Sequence, residues 1–593
     1  MLKKSAVIFM SLILSVGCLT ACSENSQQSS GKSNSSNSTG YSSSTDNSSP
    51  DSSGEASAQT SASDMFADGD YKDVTAEAVD AEITLSGNKG TISDNTRGTS
   101  GSEVTITSKG TYKISGTSED VTIIINDTTK SGNIYLILDN VNMTNTSNAC
   151  IYVESCDKLI IQSTGENSLT YNNSDTSAKA DGAIYSKDDL TINGSGTLNI
   201  ESKLHGIVCK DDLKITDSTL SVKADSIGIQ SGKSLRIGGG KITINSGHDG
   251  IQLSNNDNTS YFYFEKAEMS VTSGYDGISV KAGDDNNTFT GYVTLNGGTL
   301  NITTASGAGS DNSKDSNTSQ KGIKSHGDIT ISDSTVTISS ADDSIHGNSN
   351  IKINSGTVEV SSSDDGITAD GDLTIDGGRV TVSKSYEALE ATNVTINSGE
   401  VNVTASDDGI NCSGGSDTSS NDDNPWNSGN TDAKLTINGG NVYVNSSGDG
   451  LDSNGSIYIT GGTVIVEGPA GNDNGALDKG DSQSCVASIT GGTVLAIGSA
   501  GMSVNFDTGT QCSALVTLSG TSGTEISVDD GSDFKYTATK DFGCVVYSSP
   551  QLLQGNTYTL TAGSSTATAD FSSSLYYSDV SGGMRGNHGV MGR

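Results

Sequence analysis

Aromatic residues are scarce in this chain. They make up 5% of 593 residues, with a single tryptophan, Trp426, which argues against a large helical core. Positive charge is short as well: 33 Lys+Arg stand against 71 Asp+Glu, a net charge of −38. A basic patch able to grip phosphates is therefore not expected, and no nucleic acid partner; an anionic surface instead attracts cations and keeps the chain soluble. No CxxC pair marks a zinc site, and the 5 histidines form no metal-type cluster and no Ser-His-Asp order. Proline occurs 4 times. The one long apolar run, Ala6 to Leu19, is too short to span a bilayer. What is abundant is glycine, 72 residues, beside 32% hydrophobic residues, a composition that fits many short strands joined by glycine turns.

The beginning of the chain reads as an address. Lys3 and Lys4 precede the apolar run, and Leu19-Thr20-Ala21-Cys22 has the form of a bacterial lipobox. Residues 1–21 are expected to be a lipoprotein signal peptide, with lipid attached to Cys22, so that the protein meets a membrane only through this anchor, at the extracellular face of the cell membrane. Residues 22–64 are rich in Ser, Asn and Gly, and their few apolar groups would not offset the entropy of ordering them, so they read as a flexible linker. The tail, 576–593, reads the same way. Removing the signal and lipidating Cys22 leaves seven cysteines, an odd number that implies no complete disulfide framework; Cys209 and Cys412 follow apolar repeat positions and are expected in or beside a core.

A repeat dominates the rest. Asp-Gly-Ile or a variant begins at Asp181, His205, Ile227, Asp249, Asp276, Lys321, Asp343, Asp365, Glu387, Asp408, Asp449 and Asn474, with a basic period of 22 residues. Two insertions, near Gly307–Gln320 and Ser413–Asp432, lengthen it locally. Each unit holds alternating apolar stretches and glycine corners, as in LTIDGG, RVTVSKS, YEALEA from Leu373, which gives three short strands per unit. One unit alone buries no apolar face, so units must stack. The pattern predicts an all-β parallel β-helix, with inward ladders Ile331–Ile353–Ile375–Ile396 and Ile323–Ile345–Ile367–Leu389–Ile410. Residues 65–180 are expected to form irregular first coils and a cap, 181–500 the regular repeats, and 501–575 a small C-terminal β cap with longer, antiparallel spacing.

Stacking in register turns the acidic corner of each unit into a column of carboxylates one strand spacing apart. Such neighbours repel unless a cation lies between them, and Ca²⁺ is the hard cation that takes several oxygen ligands. The sharpest group spans Asp364-Asp365, Glu387 with Glu390, and Asp407-Asp408 with Asn411; Asp342 and Asp343 extend it by one coil. The competing reading is that each Asp caps its turn by accepting a backbone N–H. For a sugar ligand the candidate stacking residues are Tyr263, Tyr386, Trp426, Tyr443 and Tyr458. Lys187, Lys210, Lys281 and Lys324 follow the Gly-Ile position, and a lysine beside bound calcium is the equipment of uronate β-elimination; the plainer reading is that these lysines neutralise the acidic columns.

Four segments carry a resemblance: EVTITSKGTYKISG, IYLILDNVNM with CIYVES, SYEALEATNVTINSGEVNVTASDDGIN, and CVVYSSPQLLQGNTYTLTAG. Together they resemble secreted bacterial carbohydrate-binding β-helix proteins of the clostridial cellulose- and pectin-binding surface type. The resemblance implies a right-handed single-stranded parallel β-helix, bound Ca²⁺, and binding to cellulose and acidic pectic polysaccharides, in a fold similar to family-nine polysaccharide lyases without established lyase activity. By motif it carries calcium-site roles onto Asp364, Asp365, Glu387, Glu390, Asp407, Asp408 and Asn411. Glu387-Ala388-Leu389-Glu390 departs from the expected Glu-Gly-Ile-Glu, which leaves the backbone at Ala388 as the open point. The expectation is thus a non-catalytic, calcium-dependent polysaccharide-binding protein at the cell surface, with a pectate-lyase-like enzyme and a structural adhesin as the alternatives.

Overall fold

A computed structural model describes residues 65–254, 260–281, 291–309, 318–412, 432–471 and 474–578, all within the unit Thr60–Arg593. Its strands lie parallel, coil on coil, in one continuous ladder system. A single coil consists of Ile345–Gly347, Ile351–Ile353 and Thr357–Ser362; the next repeats it with Ile367–Ile375, in which two strands merge, and Arg379–Lys384. Both expected ladders are present. Ile331, Ile353, Ile375 and Ile396 pair in register, as do Ile323, Ile345, Ile367, Leu389 and Ile410, and all are fully buried. A third ladder, Val336–Val358–Val380–Val401–Val442, closes the core. Each buried aliphatic side chain adds roughly 1.5–3 kcal/mol, and no coil could bury its own without the next. Cys209 and Cys412 sit in this core, and the seven described cysteines are all free.

Glycine recurs at two kinds of corner for different reasons. Gly378, Gly399 and Gly440 adopt φ of 81°, 98° and 85°, the left-handed region, at the turn before the third strand. Gly366, in the Asp-Gly-Ile corner, has an ordinary φ, but a Cβ there would lie 2.5 Å from the carbonyl oxygen of Ala388 in the next coil. The same corner holds Ser344 and Ala388 in neighbouring coils, and Ala388 keeps the ladder, its N–H donating to Asp408 O at 3.1 Å and its O accepting from Ile367 N at 3.1 Å. The departure at Ala388 therefore leaves the backbone path unchanged.

The two ends differ from the repeats. Parallel coil pairing already begins at Ala81–Gly87, which lies beside Gly110–Glu119, and bulges interrupt the register of the first coils. Ahead of them, residues 65–77 form a strap across several coils. Arg236 Nη1 donates to Met65 O at 3.1 Å, Asn193 and Thr216 side chains donate to Asp70 O, and Val74 N donates to Gln162 Oε1 at 2.8 Å. The Asp70 carboxylate is fully buried between Lys158 and Lys214. At the other end Phe542–Ser548 pairs antiparallel with both Thr493–Gly498 and Ser513–Gly520, and so occupies the edge where a further coil would add. A four-stranded antiparallel sheet, Glu525–Val528, Lys535–Thr537, Thr557–Ala562 and Ser565–Asp570, packs there around its own apolar cluster.

Candidate functional site

The Asp-Gly-Ile corners stack into one column. Backbone bonds link them coil to coil: Gly322 N to Asp343 O, Ser344 N to Asp365 O, Gly366 N to Glu387 O, Ala388 N to Asp408 O, and Gly409 N to Asp449 O. Five successive coils thus place Asp343, Asp365, Glu387, Asp408 and Asp449 about 4.8 Å apart along one edge. The turn-capping role is real. Asp365 N donates to Asp343 Oδ1 at 3.2 Å, Glu387 N to Asp365 Oδ1 at 2.9 Å, Asp449 N to Asp408 Oδ1 at 2.6 Å, and Gly475 N to Asp449 Oδ1 at 2.6 Å. Each carboxylate so bonded has a second oxygen to satisfy.

The column divides by how that charge is met. Burial would push Asp343 up, but His346 and Lys321 hold it well below the usual carboxylate range; His346 Nδ1 lies 2.9 Å from Asp343 Oδ2, and the Lys321 ammonium contacts both Asp343 and Asp342. Beyond this coil no lysine, arginine or histidine among the described residues pairs with Asp365, Glu387, Asp408, Asp449 or Asp452. Burial, then the charges of Asp343, Asp364 and Glu387, push Asp365 up to about 9. Burial and Glu390 push Glu387 to about 8, and burial with the neighbouring acids raises Asp452 to about 8, Asp449 to about 7 and Asp408 to about 6.

A second column runs beside the first, three residues after each corner: Ser279, Lys324, His346, Thr368, Glu390, Asn411 and Asp452. Ser279 Oγ, Thr368 Oγ1 and Asn411 Oδ1 are buried there without a hydrogen-bond partner. Asn411 Nδ2 donates to Glu387 Oε2 at 2.9 Å, which orients the amide and leaves Oδ1 as a bare acceptor beside the carboxylates. Buried polar atoms are normally paired, so three orphans in one column mark a surface suited to a polar ligand. The donor types are those Ca²⁺ takes, hard oxygens from Glu387, Glu390, Asp408 and Asp452 in successive coils plus one amide oxygen, but these carboxylates are not gathered within 4.8 Å of one another as those of Asp342, Asp343 and Asp364 are.

The residues expected from sequence divide unevenly over this geometry. Asp342, Asp343 and Asp364 bring oxygens within 4.8 Å of one another, a grouping of the expected kind, but the cation already facing Asp342 and Asp343 is Lys321. Lys321→Met is expected to lower stability by about 3–5 kcal/mol in EDTA by taking the ammonium from the buried Asp343 carboxylate, and added Ca²⁺ is expected to restore part of the loss, read from melting curves. Tyr386 stands on the acidic face, 50% exposed, and the neighbouring Asp407 pushes its hydroxyl pKa up. Tyr263 does not serve as a platform, which corrects the expectation: it is 2% exposed, bonded to Glu265 and covered by Phe66 of the strap, a segment whose docking no local pattern announces. Tyr443 is half-buried with its hydroxyl on Glu467, beside the C-terminal cap, and Tyr458 lies on the second strand of its coil, away from the corner face. Trp426 and Cys22 lie outside the described residues.

The structure adds a feature the sequence only hinted at. His248 and Tyr275, each preceding its acidic corner, stack with centroids 3.9 Å apart and planes at 15°. They border an open cleft of about 400 Å³ reached also by Lys281, Lys324 and His326. The equal offset of His248 and Tyr275 from Asp249 and Asp276 was the available signal.

The class these observations define is a parallel β-helix that presents a long, charge-graded polar face. The chain belongs to the carbohydrate-binding domain-containing protein family, whose pattern matches residues 100–366 and 364–533. A carbohydrate-binding domain-containing protein of Acetivibrio thermocellus is 39% identical over 161 residues, 26% of this chain; the match spans 56% of that relative's length. A solved structure described as the polysaccharide lyase-like protein from C. thermocellum, gadolinium derivative, is 26% identical, covers 50% of this chain and 97% of its own, and superposes with a TM-score of 0.33.

Proposed function

We propose that the protein is a non-catalytic, calcium-dependent polysaccharide-binding protein that takes acidic pectic polymers, held at the extracellular face of the membrane by a lipid on Cys22. The observation that carries this reading is the run of carboxylates without a cationic partner among the described residues, buried Asp365 and partly buried Glu387, Asp408, Asp449 and Asp452, flanked by the bare oxygen of Asn411. Membership of a carbohydrate-binding family supports the sugar partner. Bound Ca²⁺ would neutralise these oxygens and keep positions open for a uronate carboxylate, which the acidic face would otherwise repel. The protein's own groups align the polymer: the coil spacing repeats the donor pattern along the face, and Tyr386 offers an exposed ring at its rim.

The test is co-sedimentation with pectate crosslinked independently of calcium, and with cellulose, before and after EDTA. Retention on pectate that EDTA abolishes is expected, with about ten-fold weaker retention for Glu387→Gln combined with Asp408→Asn. Retention that ignores EDTA would refute the calcium dependence. Release of ultraviolet-absorbing unsaturated ends from polygalacturonate would refute the non-catalytic reading and favour the lyase alternative.

A further inference from the structure

We infer that the cleft beside His248 and Tyr275 is a second saccharide subsite, one that holds a uronic acid through lysines and needs no metal. It rests on the polysaccharide reading above and assigns that face a division of labour. The cleft's volume of about 400 Å³ falls in the range of small-ligand sites. Its floor carries Ser279 Oγ, fully buried and without a partner. Its carboxylates are already engaged: Asp276 Oδ1 accepts from Ser319 Oγ at 2.7 Å and Lys321 N at 2.9 Å, and Asp249 Oδ2 accepts from Gln252 Nε2 at 2.6 Å. The ammonium groups are held more loosely, Lys281 Nζ at 3.5 Å from Asp249 and Lys324 Nζ at 3.5 Å from Ser319 Oγ. An ammonium has three donors, so both retain capacity for an incoming carboxylate, while the Ser279 hydroxyl meets a ring hydroxyl and the stacked His248–Tyr275 pair, with His248 Nδ1 turned to Asp249 Oδ1 at 3.2 Å, forms a flat aromatic wall.

Placement makes the cleft part of one track. Ser279 and Lys324 belong to the same column as Thr368, Glu390 and Asn411, so a polymer lying along it meets lysines in the earlier coils and carboxylates in the later ones. A coil advances about 4.8 Å, comparable to the advance of one sugar in an extended chain, so successive uronates fall opposite successive coils. Uronates over the earlier coils would be paired directly, and those over the later coils through a metal.

The experiment is calorimetric titration of the full protein, in EDTA, with a galacturonate trimer and with the neutral galactose trimer. The acidic trimer is expected to bind and the neutral one not to; Lys281→Gln combined with Lys324→Gln is expected to weaken binding at least about ten-fold. The variant's melting temperature and its terbium luminescence titration should match the parent, which shows that fold and metal ligands are intact. Equal trimer affinity in parent and variant, or equal binding of the neutral trimer, overturns the subsite. Trimer binding in EDTA by a protein that ignores calcium-loaded polygalacturonate would refute the proposed function and leave the cleft standing; calcium-dependent retention with no trimer binding in EDTA would refute the cleft alone.

Discussion

Raising the pH from about 5 to about 9 in a chelating buffer is expected to destabilise the folded protein, because its acidic column holds protons that the unfolded chain releases. The sign follows from the shifts. Asp365 is pushed up to about 9, Glu387 and Asp452 to about 8, Asp449 to about 7 and Asp408 to about 6, all above the ordinary carboxylate range. Between the unfolded and folded pKa values the native state binds more protons, so stability falls as pH rises through this window and levels off above it. One unit of elevation corresponds to about 1.4 kcal/mol, and several groups act together, so a fall of several degrees in melting temperature is expected. Calcium should oppose the trend. It competes with protons for the same oxygens, so its stabilising effect should be small near pH 5 and large near pH 8, and its binding at neutral pH should release protons into the buffer. A melting temperature that stays level in EDTA across this range, or an equal calcium effect at both ends, would sink the assignment of these carboxylates as the metal face.

The second large effect lies where the strap crosses the second strands of the earlier coils. Asp70→Asn should leave Lys158 and Lys214 facing each other with no anion between them, at a cost of roughly 3–5 kcal/mol. Burial works against ionisation of Asp70, yet the two lysines bring its pKa down to about 2. The strap should therefore stay docked above the ordinary carboxylate pKa and be released only as pH falls toward about 2. Because the strap can leave without the coils unfolding, the loss should appear locally, as faster hydrogen exchange at Val74 N, which donates to Gln162, and as new protease cleavage within residues 65–77. Unchanged exchange at Val74 in the Asn variant would show that Asp70 is not the clasp.

The coils were legible because each repeats the same physical demand. Ile331, Ile353 and Ile375 recur at one spacing, the glycines recur at the corners, and stacking is the one arrangement that buries the former and accommodates the latter. The carboxylate columns were legible for the same reason: register follows from the repeat, and proximity follows from register. What the repeat does not encode was not legible. Tyr263 occupies an outward position of its strand and read as a platform, but the segment that covers it lies far away in sequence and carries no periodic mark. Lys321 replaces an acid in the corner column, and only side-chain geometry shows that its ammonium reaches forward to Asp342 and Asp343.

The strap also sets an order of events. Met65 finds its partner in Arg236, 171 residues later, and Phe66 finds its partner in Tyr263. The first of the described residues to be synthesised are thus among the last to be fixed in place. Coils can assemble by local pairing as the chain emerges, but the strap must wait until residue 263 is available, and its docking then ties together coils that had formed one after another. A chain crossing a membrane in an extended state would keep its leading segment unlatched until nearly half its length had emerged, and latching would report that the first part of the helix had been built in register.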